Sequence, residues 1–186
     1  TADSSVQTMT ANLDNKLMHE YIRDHGYKTM AVGKLMHQHI AKGSVDQSGG
    51  RFKTPKSKGK LNFSSKGTGT DWGVFPGKDS EMADHKQTDW AIARLKEHHT
   101  QPFLLMLGLQ LPHVPWIVPQ KYWDIYDPEK ITLAPYLAND HDDLPESSIH
   151  TNILTFMPQT DQLRQIKKLK QATHSYLASI SFIDHQ

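Results

Sequence analysis

An open α/β sheet, mostly parallel and with helices on both faces, is the fold class the sequence predicts. Two observations carry it. A short amphipathic helix followed by an extended apolar run occurs twice, first over residues 16–33 and again over residues 84–109. The second run, residues 103–109, is apolar at nearly every position, the signature of a parallel strand covered on both faces. Right-handed crossovers of such units build an open sheet of this class.

The elements follow in order. Residues 1–15 are polar and carry little periodic signal. Leu17, Met18, Tyr21 and Ile22 fall on one helical face, and Gly26 is placed to end that helix. Residues 27–32 form a short extended run that stops at Gly33-Lys34. Residues 43–70 are rich in Gly, Ser and Lys, contain Pro55 and show no sustained periodicity, which predicts a long excursion or a short irregular hairpin. Asp84 or Thr88 can cap a second helix reaching about His98, with Ile92 and Leu95 inward. Gln101-Pro102 stops it, and residues 103–109 are the second strand, predicted to be central. Residues 111–136 are rich in proline and aromatic side chains, with a short helix over 120–126, and residues 137–158 read as loop. Leu163, Ile166, the stem of Lys170, Thr173, Leu177 and Ile180 then recur at helical spacing, predicting one long helix from about Asp161 to Ile183.

Composition narrows the function. A net charge of +1 argues against a dedicated nucleic-acid binder, which carries a strong basic excess. No apolar run approaches the roughly 18 residues of a membrane helix. The absence of cysteine excludes disulfides, thiolate zinc sites and a cysteine nucleophile within these residues. Residues 1–10 have neither a basic n-region nor an apolar h-region, so the leader of an exported parent protein would lie upstream of them.

Open α/β sheets bind ligands at the carboxyl ends of their strands. Lys34 and His37 follow the first strand and His113 follows the second, so three cations are expected at one sheet edge, a setting suited to a tetrahedral oxyanion. His113 sits in Leu111-Pro112-His113-Val114-Pro115-Trp116, where two prolines stiffen the backbone around the imidazole. Trp116 reads either as core packing or as a sugar-stacking platform. Other pairs read as bland. Asp142-Asp143 lies in a polar loop, Asp184-His185 on the last helix, and His98-His99 at a helix end where imidazolium favours the dipole. His37-Gln38-His39 has no third ligand nearby. The lysines of residues 43–66 form either a solvated surface or a strip that steers an anionic chain.

The segment Gly26-Tyr27-Lys28-Thr29-Met30-Ala31-Val32-Gly33-Lys34-Leu35-Met36-His37 resembles the sulfatase pattern G-Y-x-T-x-x-x-G-K-x-x-H. The stretch from Pro102-Phe103 through the apolar run to Pro112-His113-Val114-Pro115 resembles a later pattern of the same family. Tyr126-Asp127-Pro128-Glu129-Lys130-Ile131-Thr132-Leu133-Ala134-Pro135 and Tyr176-Leu177-Ala178-Ser179-Ile180-Ser181-Phe182-Ile183-Asp184 are similar to the iduronate-2-sulfatase group. The chain therefore resembles an internal part of a type I, formylglycine-dependent sulfatase of the alkaline phosphatase superfamily. Residues 1–186 are expected to be the central part of its catalytic domain, with an incomplete α/β sheet, and residues 43–72 a basic Gly/Ser/Lys-rich insertion.

The resemblance implies a role for each matched residue. Lys34 contacts the sulfate and the nucleophile, and His37 holds or deprotonates the hydrated formylglycine. His113 binds the sulfate and can protonate the leaving alkoxide. Trp116 joins Lys34 and His113 as a substrate contact. It also implies Ca2+ and formylglycine, both held outside this chain: there is no C/S-x-P-x-R segment, no early Asp-Asp pair on a first strand and no late Asp-His or Asp-Asn pair. No metal ligand is therefore expected within these residues, and the isolated chain is expected to be inactive and to need the rest of the sulfatase domain. The implied partner is a sulfated carbohydrate or another sulfate ester, with neither nucleic acid nor membrane. The implied location is periplasmic or secreted in a bacterium and lysosomal in an animal. Two alternatives stand beside this reading. One is a phosphate or phosphonate ester hydrolase of the same superfamily, and the other a non-catalytic binder of anionic polysaccharide.

Overall fold

The computed structural model describes residues 16–36, 40–55, 60–63, 68–140, 142–148 and 157–186. In chain order its elements are α1 (Met18–Asp24), β1 (Lys28–Gly33), β2 (Gln47–Gly50), β3 (Trp72–Phe75), α2 (Ala83–Leu95), β4 (Phe103–Gly108), β5 (Trp116–Pro119), α3 (Gln120–Trp123), α4 (Thr160–Gln165) and α5 (Leu169–His185). Short 3-10 turns lie at Asp79–Glu81 and Pro128–Lys130. The described residues fall into two compact units. The first draws on Thr1–Pro55, Lys78–Gln110 and Gln186, and the second on Lys56–Gly77 and Leu111–His185.

In the first unit three strands pair in the order β2-β1-β4, all parallel, so the expected α/β class with parallel strands is present. The centre is β1, where Met30, Ala31 and Val32 are fully buried. The expectation that the run at 103–109 is the central strand is corrected: among the described residues β4 pairs with β1 alone, and its Leu107 is 38% exposed. Apolar composition alone does not distinguish the two positions.

Residues 47–50 overturn the loop reading of their stretch, because Gln47–Gly50 is a strand paired with β1. Backbone pairing and close packing hold it instead of apolar side chains. A Cβ on Gly49 would lie 2.7 Å from the Trp90 ring and 2.9 Å from Val32 Cγ2. The Asp46 carboxylate, just before the strand, accepts from Thr29 N at 2.7 Å and Thr29 Oγ1 at 2.9 Å.

Helix α1 ends as anticipated at Gly26 (φ 89°), with Gly26 N donating to Arg23 O and Tyr27 N to Ile22 O. Its buried side is corrected. Met18 and Tyr21 are exposed, whereas His19 is buried, and desolvation pulls the His19 pKa below its ordinary value. In α2 the buried residues are Ala83, Asp84, Gln87, Thr88 and Ala91, while Ile92 and Leu95 are exposed. The N-cap is Met82, so neither Asp84 nor Thr88 caps this helix.

The second unit contains the two-stranded parallel sheet β3-β5, with Trp72 opposite Trp116. Its core gathers Phe63, Trp72, Leu163 and Ala172, with Trp116, Trp123 and Leu169 against them. Four small side chains, Ala172, Ser175, Ala178 and Ser179, are buried along α5 together with Phe182, whereas Ile180 on this helix and Ile166 before it, both on the predicted apolar stripe, are exposed. Ser175 Oγ donates to the Trp116 carbonyl, and His174 Nε2 meets the Trp123 carbonyl at 2.9 Å.

The single long helix expected from Asp161 is two helices. Lys167 adopts φ 55° between them, with Lys167 N bonded to Arg164 O and Lys168 N to Leu163 O. This is the Schellman ending, in which the left-handed position favours glycine. A non-glycine residue there costs about 1–2 kcal/mol. Lys167 is exposed, so Lys167→Gly is expected to raise the unfolding free energy of the full protein by about 1 kcal/mol, read as a higher denaturation midpoint. An unchanged or lower midpoint would contradict the assignment of this turn.

Asp71 organises the segment before β3. It is 3% exposed and accepts from Leu61 N at 2.8 Å, Asn62 N at 2.9 Å and Phe63 N at 3.0 Å. Burial pushes its pKa up, but the backbone donors outweigh burial and hold it below the ordinary 3.8. Because the folded value is depressed, this stabilisation is complete above pH 3.8 and is lost as pH falls through the lower folded value. Asp71→Asn is expected to lower stability at pH 7 by roughly 2 kcal/mol, the scale of hydrogen bonds to a charged group. Denaturation midpoints at pH 7 and pH 3 should show a wild-type advantage that shrinks in acid. An advantage independent of pH would refute the cause.

Candidate functional site

The carboxyl end of the first unit's sheet is built around two glycines. Gly33 ends β1 at φ 87°, opposite Gly108 at the end of β4. A Cβ on Gly33 would lie 2.0 Å from the Gly108 carbonyl oxygen, and one on Gly108 would lie 2.2 Å from the Lys34 carbonyl oxygen. Lys34 N donates to Gly108 O at 2.7 Å. The backbone carrying Lys34 is thus clamped against β4, while its side chain is half-buried at the sheet edge.

Buried polar side chains from α2 brace this edge. Asp84, 3% exposed, accepts from Gln110 N at 2.7 Å and from Gln87 Nε2 at 2.7 Å. Gln87, 1% exposed, also donates to Gly108 O at 3.3 Å. Asp84 therefore secures the chain leaving β4. Sequence reasoning saw only a possible cap, because the partner Gln110 lies on the far side of the strand in sequence. Arg51, directly after β2, donates from Nη2 to Gln110 Oε1 at 2.7 Å. It was also missed, since it sits in a stretch whose composition reads as loop.

His113 belongs to the second unit, on the segment entering β5. The bonds Leu111–Pro112 and Val114–Pro115 are both cis. The His113 ring is exposed, and Nδ1 meets the Val114 carbonyl at 2.7 Å. A carbonyl only accepts, so Nδ1 carries a proton. In the neutral ring Nε2 then has the lone pair, and in the imidazolium Nε2 is the second donor. Trp116 is half-buried against the Phe63–Trp72 core. Its Nε1 donates to Pro112 O at 2.7 Å, and its ring meets Tyr176 edge-on at 5.5 Å.

Lys34 and His113 stand in different units, and the expectation that they converge at one edge is not something either unit displays by itself. His37 and His39 lie outside the described residues, as do Lys56, Lys58 and Lys66. Of the remaining lysines of that basic stretch, Lys53 is exposed and Lys60 is tied to the carbonyls of Thr68 and Thr70 at 2.8 and 3.0 Å. His99 bonds the Arg94 carbonyl at 2.9 Å, as its helix-end reading requires. Asp142 and Asp143 are exposed. Among the described residues no three His, Cys, Asp or Glu side chains are grouped to hold a metal ion.

The family model described as Sulfatase matches residues 5–186. A protein of Formosa agariphila named "Sulfatase" is 37% identical, across 95% of this chain and 37% of its own length. "Iduronate 2-sulfatase" of Homo sapiens is 27% identical, across 90% of this chain and 34% of its own. The Mus musculus protein of that name is also 27% identical, with the same coverage. The chain thus spans about a third of the length of the curated relatives it matches. With the family model covering almost all of it, the chain belongs to the sulfatase family.

Proposed function

We propose that the protein containing this chain hydrolyses sulfuric esters, with a sulfated sugar as substrate, and that these residues supply its sulfate-binding cation and its proton donor. The family match over residues 5–186 supports this reading most strongly, and the relatives named iduronate 2-sulfatase support a sugar substrate. Lys34, presented by the clamped end of β1, holds the sulfate through a fixed positive charge. His113 binds the same anion and, as imidazolium, gives its Nε2 proton to the bridging oxygen as the ester bond breaks. That proton transfer offsets the charge developing on the leaving alkoxide. His37 is assigned to the nucleophile, which it holds or deprotonates. Trp116, half-buried, is assigned as the platform on which the sugar stacks.

The nucleophile itself is proposed to be a formylglycine, and the bound metal Ca2+, both supplied by parts of the full protein outside this chain. The 186-residue chain alone is accordingly expected to turn nothing over. Peptide mapping of the full protein tests the assignment. A C/S-x-P-x-R peptide converted to formylglycine is the expected result. A full protein lacking any such peptide would overturn it in favour of phosphate-ester chemistry or simple binding of an anionic polysaccharide.

A further inference from the structure

The carboxyl ends of β2, β1 and β4 lie side by side in that order, and each leads into a polar residue: Arg51 after β2, Lys34 after β1 and Gln110 after β4. The Arg51–Gln110 bond of 2.7 Å joins the two outer strands' exits. It therefore passes across the end of the central strand, the strand that presents Lys34. Both ends of this bridge are anchored. On one side Gly50 takes φ 70°, and Gly49 is packed so tightly on Trp90 and Val32 that a Cβ would overlap them. The pairing register also shifts between Ala31 and Val32, which sets Gly50 opposite Val32 at the strand's exit. On the other side Gln110 is held through its backbone N by buried Asp84.

We propose that Arg51 recognises a second anionic group of the substrate, a carboxylate or a further sulfate beside the scissile ester, and so sets specificity for polyanionic sugars. A guanidinium is a planar fork of donors suited to carboxylate and sulfate oxygens, and a bond to one amide oxygen orients its plane. Arg51 and Lys34 leave neighbouring parallel strands at the same end of the sheet, so both cations are carried to one edge. A preformed position also avoids the cost of ordering a long side chain on binding.

This inference rests on the sulfatase reading, and the test separates the two. Steady-state kinetics of the full protein would be measured on an aryl sulfate lacking any second charge and on a sulfated uronic acid. Arg51→Ala is expected to raise KM for the sulfated uronate about tenfold or more, with kcat within about twofold and aryl sulfate turnover unchanged. Arg51→Lys should recover part of the loss. Gln110→Leu, which removes the acceptor that meets Arg51 Nη2, should raise KM less and only for the uronate. Equal losses on both substrates, no loss on either, or a wild type with no preference for the charged sugar would overturn the role of Arg51. A wild type that cleaves neither ester would instead overturn the sulfatase reading, and this inference with it.

Discussion

Gly33→Ala is expected to destabilise the full protein by roughly 3 kcal/mol or more and to abolish most of its activity. Two costs combine. The left-handed backbone at φ 87° costs an alanine about 1–2 kcal/mol. Its Cβ would also sit 2.0 Å from the Gly108 carbonyl oxygen, and overpacking of this kind typically adds about 1–3 kcal/mol. The neighbour is backbone, so it cannot swing aside as a side chain would. Strands β1 and β4 would have to separate at the point where Lys34 is held. Gly26 provides the internal comparison, since it has nearly the same φ of 89° but nothing within 4 Å of an added Cβ. Gly26→Ala should therefore show only the backbone cost, about 1–2 kcal/mol. Thermal or urea denaturation of the two variants checks this. If Gly33→Ala costs no more than Gly26→Ala, the clamp is not as described.

Lys34→Ala and His113→Ala are each expected to lower kcat for a sulfate ester by about a hundredfold or more, the scale seen when a fixed group stabilising transition-state charge is removed. Stability should hardly change. The bond that locks Lys34 comes from its backbone N, which alanine keeps, and its side chain is half-exposed. The exposed His113 ring loses only its contact with the Val114 carbonyl, worth about 1 kcal/mol. The two variants should differ in leaving-group dependence. His113 is assigned to protonate the leaving oxygen, so its loss should cost more on alkyl than on aryl sulfates, while Lys34→Ala should cost about the same on both. Activity within about threefold of wild type for both variants would remove them from the chemistry.

The legible parts of the fold were those marked by local signals. Gly26 announced the end of α1, the apolar runs announced β1 and β4, and Gln101-Pro102 separated α2 from β4. Strand β2 was illegible because Gln47-Ser48-Gly49-Gly50 has no apolar residue to alternate; its place comes from β1 and from Trp90 lying over Gly49. Strands β3 and β5 were hidden by Gly73 and by the prolines around Trp116. Helix faces were misread where the buried stripe is small or polar, as with Asp84 and Gln87 in α2 and Ser175 and Ser179 in α5. Apolar periodicity points away from such stripes. At the site, the position of Lys34 after a strand was readable, but its clamp was not. Gly108, Asp84 and Gln110 become partners only once the chain has folded.

Ester selectivity of the full protein tests the central claim most directly. Release of inorganic sulfate and phosphate would be followed from matched sulfate and phosphate monoesters of one sugar, with Lys34→Ala as the control. The account predicts preferential sulfate release that falls about a hundredfold or more in the variant. Preference for the phosphate ester, or sulfate release undiminished by Lys34→Ala, would contradict it.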